Sequence, residues 1–209
     1  MALTKNVFTV LKMFASTNEK LSQRQLSEAT KLSLGTVNTA VKSLENRGLI
    51  KDRMITQKGL EALKPYAVDN AIIMAAGLSS RFAPISYEKP KGVLKVRGEV
   101  LIERQIRQLM EAGITDITVV VGYKKEYFFY LAGKFGVSIV VNPDYATRNN
   151  NSTLWYVKNR LGNTYICSSD DYFTVNPFEH YVYGAYYSAT YVAGPTKEWC
   201  LKEGPGGRI

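Results

Sequence analysis

The chain has little cysteine and almost no histidine: Cys167 and Cys200 stand 33 positions apart, and His180 is the single histidine. A disulfide framework needs more cysteines, and a zinc cluster needs several closely spaced thiol or imidazole ligands, so both are excluded. Long apolar runs are also missing. Nothing approaches the roughly 20 residues that cross a bilayer, and the start MALTKNVFTVLKMF lacks a small-residue cleavage site. The expectation is a cytoplasmic protein with reduced cysteines and no membrane segment.

Acidic residues are scarce in the first third. Residues 1–66 hold 11 Lys/Arg against 5 Asp/Glu, a net +6, whereas the remainder holds 16 against 13, a net +3. A basic excess concentrated in a small segment suits contact with a polyanion, and equally a solvated surface. Within it, Val7, Phe8, Val10, Leu11 and Phe14 recur at helical spacing. Ser22 and Gln25 have the spacing of a capping box ahead of a second helix. After the turn Lys31-Leu32-Ser33, the stripe Val37, Val41, Leu44 predicts a third helix ending at Gly48. Leu49-Ile50, a charged turn at Lys51-Asp52-Arg53 and Met54-Ile55 then predict a two-stranded wing, and residues 56–66 a last helix. The run from Leu21 to Ile50 resembles winged helix-turn-helix regulators. That resemblance implies a DNA-binding helix three exposing Thr36, Asn38, Thr39 and Lys42, with Arg53 on the wing reaching the backbone. Winged helices also serve as protein-contact or dimerisation modules, and a homodimer is left open.

From Asn70 on, the rhythm changes. Ala71-Ile72-Ile73-Met74 has the composition of a buried parallel strand and runs straight into Ala75-Ala76-Gly77-Leu78-Ser79. Small residues there let a backbone approach a nucleotide, and the amides that follow can face phosphate oxygens. Arg81 follows four residues after Gly77, and Pro90-Lys91 lie nine further on, so two cations flank one turn. Beyond them the pattern predicts a helix over 101–112, a strand over 117–121, a helix over 126–134, a strand over 138–141 and a strand over 165–167. This alternation is that of an α/β, doubly wound, mostly parallel Rossmann-like sheet, which binds ligands beyond the carboxyl ends of its strands. The expected organisation is therefore a winged helix-turn-helix over 1–66 and an α/β domain over 67–209. Acidic Asp170 and Asp171 at a strand end suit Mg2+, a hard ion that takes carboxylate and phosphate oxygens.

The stretch MAAGLSSRFAPISYEKPKGVLKV resembles the signature of the sugar-phosphate nucleotidyltransferase family, and within it the CTP:phosphocholine cytidylyltransferases. The resemblance implies that Arg81 and Lys91 serve catalysis on the phosphates of donor and acceptor. It further implies that Ala75, Ala76, Gly77, Ser79, Asn151 and Ser152 contact the nucleotide and that Asp170 binds Mg2+. Ser79 stands at the second glycine of the commoner pattern, and Ser168 where many relatives carry another acid. The partners so implied are an NTP, CTP for preference, and a phosphorylated small molecule, phosphocholine for preference. Nine aromatics between Tyr172 and Trp199 fit an acceptor with a quaternary ammonium, or a packed core. Relatives run several strands further, so the resemblance implies a domain incomplete at its carboxyl end. Two alternatives stay open: a sugar-1-phosphate nucleotidyltransferase, and a nucleotide- or choline-responsive DNA-binding regulator with a degenerate transferase domain.

Overall fold

The computed structural model describes residues 2–196, 200–202 and 204–206. Its amino-terminal part packs α1 (Lys5–Ala15), α2 (Gln23–Thr30) and α3 (Leu34–Asn46) around Phe8, Leu11, Leu26, Val41 and Leu44, all nearly inaccessible. Local chemistry sets the ends of these helices. The Ser22 amide donates to Gln25 Oε1 at 2.8 Å and the Gln25 amide returns to Ser22 Oγ at 3.2 Å, closing the capping box. Gly48 ends α3 at φ +67°, and the Gly48 and Leu49 amides reach back to Glu45 and Leu44, the paired bonds of a Schellman cap. The wing is β1 (Ile50–Lys51) paired antiparallel with β2 (Met54–Ile55), and α4 (Gln57–Leu63) follows.

The second part is built on four parallel strands, β3 (Asn70–Ala75), β6 (Ile117–Val121), β7 (Ser138–Val141) and β8 (Thr164–Ser168), in the order β7-β6-β3-β8. Between β3 and β6 lie a short antiparallel hairpin, β4 (Lys95–Val96) with β5 (Glu99–Val100), and helix α5 (Leu101–Glu111). Alternation along the strands separates two layers. Ala71, Ile73 and Ala75 pack with Ile102, Ile106 and Leu109 of α5 and with Leu131 of α6 (Tyr130–Phe135). Ile72 and Met74 face the other way, toward Val157 and toward Leu154 of α7 (Asn151–Trp155). Helices thus cover both faces of a parallel sheet, as the α/β reading expects.

After β8, no further helix or strand occurs among the described residues. Residues 173–183 instead run back toward the amino-terminal helices. Glu179 pairs with Lys12 of α1 at 2.8 Å, and the Val182 amide donates to the Tyr66 carbonyl at 2.8 Å. Tyr183 stacks on Tyr66 at 5.8 Å between centroids, leans on Phe8 at 5.4 Å, and donates to the Leu3 carbonyl. Part of the aromatic enrichment is therefore a seam between the two buried clusters on either side of Tyr66.

Candidate active site

Beyond the carboxyl ends of β3 and β8 lies a cavity of about 300 Å³. The turn Ala75-Ala76-Gly77-Leu78-Ser79 forms one wall. Gly122, just past β6, lets this turn pack close: a Cβ there would stand 2.7 Å from the Ala76 carbonyl oxygen and 2.6 Å from Tyr145 Cβ. Ser79 takes φ +55°, the left-handed region where glycine rests without cost, so the loop keeps a glycine-like shape despite the serine. It leads into a single 3-10 turn, Ser80–Phe82, which carries Arg81 into the cavity lining.

A second 3-10 turn, Lys91–Val93, supplies Lys91. Gly92 is what lets this turn lie against the segment after β8, since a Cβ would come within 3.0 Å of Ser169 and 3.2 Å of the Phe128 ring. Lys91 Nζ consequently sits 3.2 Å from Asp170 Oδ2 and 5.1 Å from the Phe82 ring centroid. Ser168 donates to Asp170 Oδ1 at 2.8 Å. Ser168 therefore orients the Asp170 carboxylate. Burial opposes ionisation of Asp170, but the bond from Ser168 and the Lys91 ammonium outweigh it and hold its pKa below the ordinary value. Asp171 moves the other way, raised by burial and then by the Asp170 charge. Cys167, buried beneath, has its thiol pushed up to about 12 by burial, which suits a packing residue.

The structure brings Ala75, Ala76, Gly77, Ser79, Arg81, Lys91 and Asp170 around this one cavity. It does not bring Asn151 and Ser152 there. Ser152 is buried and accepts from Asn142 Nδ2 at 3.1 Å, and Asn151 lines a neighbouring depression with Arg148 and Trp155. Asn150 and Thr153, one place to either side, take the cavity positions, being three residues apart and so on one side of the turn that opens α7. Sequence reading misses both, as it misses Phe128 on the cavity floor. The rings after Asp171 are not on the cavity wall: Phe173 and Phe178 pack edge to face at 5.8 Å, Tyr172 lies over Arg104, and Tyr181 and Tyr183 join the seam. Trp199 lies outside the described residues.

On the winged helix, Lys42 and Thr39 are exposed on α3, with Thr36 and Asn38 half-buried beside them. Arg53 is drawn inward: it takes φ +60° and donates through Nη1 to the Leu21 carbonyl at 2.9 Å, bracing the wing against the segment before α2.

The donor set tests the expected ion. Among the described residues no group of three or more His, Cys, Asp and Glu side chains converges on a metal position. One carboxylate, oriented and ionised, fits a Mg2+ that takes its remaining ligands from phosphates and water.

Among the described residues, its own chain neighbours aside, nothing lies within 4 Å of where a Gly77 Cβ would stand, and Gly77 does not have the positive φ that resists side chains. The chain itself does not need glycine there. Gly77→Ala is therefore expected to keep its stability within about 0.5 kcal/mol of the parent, while a nucleotide held against this turn, as the resemblance implies, would meet the added methyl and bind about tenfold more weakly. Calorimetry and equilibrium dialysis of CTP check the pair of outcomes; unchanged CTP binding would place the nucleotide elsewhere.

Residues 71–171 match the family model of the MobA-like NTP transferase domain, and residues 4–51 that of the winged helix-turn-helix DNA-binding domain. The chain is 42% identical over 134 residues to choline-phosphate cytidylyltransferase of Streptococcus pneumoniae, covering 64% of this chain and 58% of that protein. It is 37% identical over 149 residues to 2-aminoethylphosphonate cytidylyltransferase of Lancefieldella rimae, covering 67% and 58%. Among solved structures, CTP:phosphocholine cytidylyltransferase from Streptococcus pneumoniae superposes with a TM-score of 0.52 at 45% identity, over 53% of this chain and 49% of that one. The chain thus spans a little over half the length of these two curated relatives.

Proposed function

We propose, from the premise that residues 71–171 are a MobA-like NTP transferase domain behind a winged helix-turn-helix, that the chain transfers CMP from CTP to a small phosphorylated or phosphonylated amine. An oxygen of the acceptor phosphate attacks the α-phosphorus, the bond to the β-phosphate breaks, and pyrophosphate leaves. The observation that carries this reading is the convergence of Arg81, Lys91 and Asp170 on the cavity walled by Ala75 to Ser79. Such a transfer needs charge neutralisation and alignment rather than a covalent intermediate. Arg81 and Lys91 supply fixed positive charge, and Lys91, already paired with Asp170, can exchange that partner for phosphate oxygens. Mg2+, held by Asp170, supplies further neutralisation of the phosphate oxygens when bound. Phosphocholine and 2-aminoethylphosphonate are the acceptors named for the two relatives, and phosphocholine is our first choice. The test is release of pyrophosphate from CTP and Mg2+ with phosphocholine, 2-aminoethylphosphonate or glucose 1-phosphate in turn. Silence with all three, and with the other NTPs, removes the proposal.

The same reading divides the chain at Tyr66 into a winged helix and a transferase domain, and gives the winged helix DNA as a partner. The net +6 of residues 1–66 and the exposed Thr39 and Lys42 on α3 favour it. Duplex DNA affinity should fall steeply with salt, and Lys42→Ala should reduce the salt slope by about one. A slope unaltered by Lys42→Ala removes Lys42 from the phosphate contacts, and no affinity at low salt removes DNA as the partner.

A further inference from the structure

The stretch after β8 poses a physical problem. It carries Asp170, has no ladder or helix to hold it, and must still keep one carboxylate beside Lys91. Its amino-terminal anchor is clear: the Ser169 amide donates to the Met74 carbonyl at 3.1 Å, extending the pairing of β8 with β3. Its other anchor is a row of side chains on α5. Arg104 donates through Nε to the Phe173 carbonyl at 2.9 Å and through Nη2 to the Thr174 carbonyl at 3.1 Å. Its third arm, Nη1, is held by Glu99 Oε2 at 2.6 Å, and its guanidinium lies 4.9 Å from the Tyr172 ring centroid. Gln108 Nε2 donates to the same Phe173 carbonyl at 3.1 Å, and Gln105 Nε2 donates to the Ser168 carbonyl at 3.1 Å. Only Asp170, Asp171 and Tyr172 lie between the anchors at Ser169 and Phe173.

Gln105 and Gln108 are 1% and 5% exposed, and the Oε1 atom of each is buried with no hydrogen-bond partner among the described residues. Leaving an acceptor unpaired in the interior is costly, and apolar side chains would pack there without that cost. The helix nevertheless keeps two amides and a forked cation at positions that touch this loop. Departures from local packing rules of this kind mark places where geometry matters more than stability. The choice of arginine fits as well, since a planar guanidinium reaches two successive carbonyls and a carboxylate at once, which an ammonium cannot.

We infer that Arg104, braced by Glu99 and seconded by Gln105 and Gln108, is a positioning residue that fixes the Asp170 carboxylate for the metal–triphosphate complex. The inference rests on the transferase reading. Arg104 touches no reacting atom; it acts through the backbone of Phe173 and Thr174. A displacement of about 1 Å in such a group costs on the order of 10²-fold in rate, so loosening one anchor should show in turnover and not in nucleotide capture.

The test uses the full chain with Arg104→Met, which keeps the aliphatic stem, Arg104→Lys, which keeps the charge without the fork, and Glu99→Gln, a milder change that leaves the guanidinium in place. Mn2+ binding is followed by electron paramagnetic resonance with CTP present, alongside metal-free CTP binding, pyrophosphate release and thermal unfolding. Arg104→Met should bind Mn2+ about tenfold more weakly and lose about 10- to 100-fold in kcat, with metal-free CTP binding moved less than about twofold. Arg104→Lys and Glu99→Gln should fall between it and the parent. A lower melting temperature with parental Mn2+ affinity and kcat per folded molecule would overturn the inference and leave Arg104 as a structural tie. Should Arg104→Met not fold, parental behaviour of both Glu99→Gln and Arg104→Lys overturns it in the same way. A parent chain that binds Mn2+ with CTP but releases no pyrophosphate refutes the transferase reading, while the Mn2+ affinities of the variants still decide the role of Arg104. A parent that binds no Mn2+ removes both.

Discussion

Asp170→Asn is expected to lower pyrophosphate release by about 10²- to 10³-fold, the usual loss when one preorganised charge is taken from a phosphate or oxyanion site. The substitution is close to isosteric, and asparagine can still accept from Ser168 Oγ, which lies 2.8 Å from Asp170 Oδ1. What disappears is the negative charge that pairs Lys91 at 3.2 Å and that suits a hard ion. Stability should change little, because the pair is partly exposed, at 22% for Lys91 and 36% for Asp170, and such pairs contribute about 0–1 kcal/mol. The pKa of Asp170 is depressed, so its stabilising charge is present at neutral pH and is lost only as pH falls through that lowered value. Asp171 provides the control. Burial and its neighbour's charge raise its pKa, and it does not line the cavity, so Asp171→Asn should retain activity within about fivefold, as a position outside the electrostatic site does. The reverse ranking of the two asparagine variants would make Asp171, not Asp170, the carboxylate that serves the phosphates.

The parts of the molecule legible in the sequence are those that local patterns determine. Central parallel strands need continuous apolar residues, and the buried β3 and β6 stand where Ala71–Met74 and Ile117–Val121 predict them, within a residue or two, as do the half-exposed edge strands β7 and β8 where Ser138–Val141 and Tyr165–Cys167 do. The capping box at Ser22 and the cap at Gly48 are equally visible, since each depends on side chains a few positions apart. Legibility fails where a long-range partner decides. A helix over 126–134 follows from periodicity, yet the chain makes a 3-10 turn at Lys125–Phe128 and starts α6 only at Tyr130. Lys124 in the left-handed region delays the start and turns the Phe128 ring into the core. The aromatic-rich residues from Tyr172 to Trp199 read as an acceptor face or a packed core. Their carbonyls at Phe173 and Thr174 are taken instead by Arg104 and Gln108, 65 to 70 residues away, leaving the rings free to pack the seam. In the site, Arg81, Lys91 and Asp170 are readable as residue types in a spaced signature. The inward places of Asn150 and Thr153, by contrast, depend on the rotation of one short turn that no periodicity specifies.

The second large effect belongs to a residue with no chemistry of its own. Phe128 is fully buried, packs within the α5 and α6 layer, lines the cavity floor, and lies 3.2 Å from where a Gly92 Cβ would stand. It is thus a large core side chain that also supports the turn bearing Lys91. Phe128→Ala removes its transfer free energy and opens a void that a sheet fixed on both sides closes poorly, at about 3–5 kcal/mol. At about 2–4 °C per kcal/mol for a chain of this size, the melting temperature should fall by about 6–20 °C. Below that temperature the folded fraction should still be impaired, because the Lys91 turn rests on empty space and the 3.2 Å contact between Lys91 and Asp170 loosens. Phe128→Leu separates the two effects: it refills most of the volume, should recover more than half of the lost stability, and should restore turnover in proportion as the turn is again supported. Scanning calorimetry with pyrophosphate release measured well below each midpoint reads both quantities. If Phe128→Ala melts within about 1 °C of the parent, the ring does not fill the place described, since no buried phenylalanine is lost so cheaply. If it melts early but turns over normally per folded molecule, core and site are mechanically separate, and Lys91 takes its position from Gly92 and Asp170 alone.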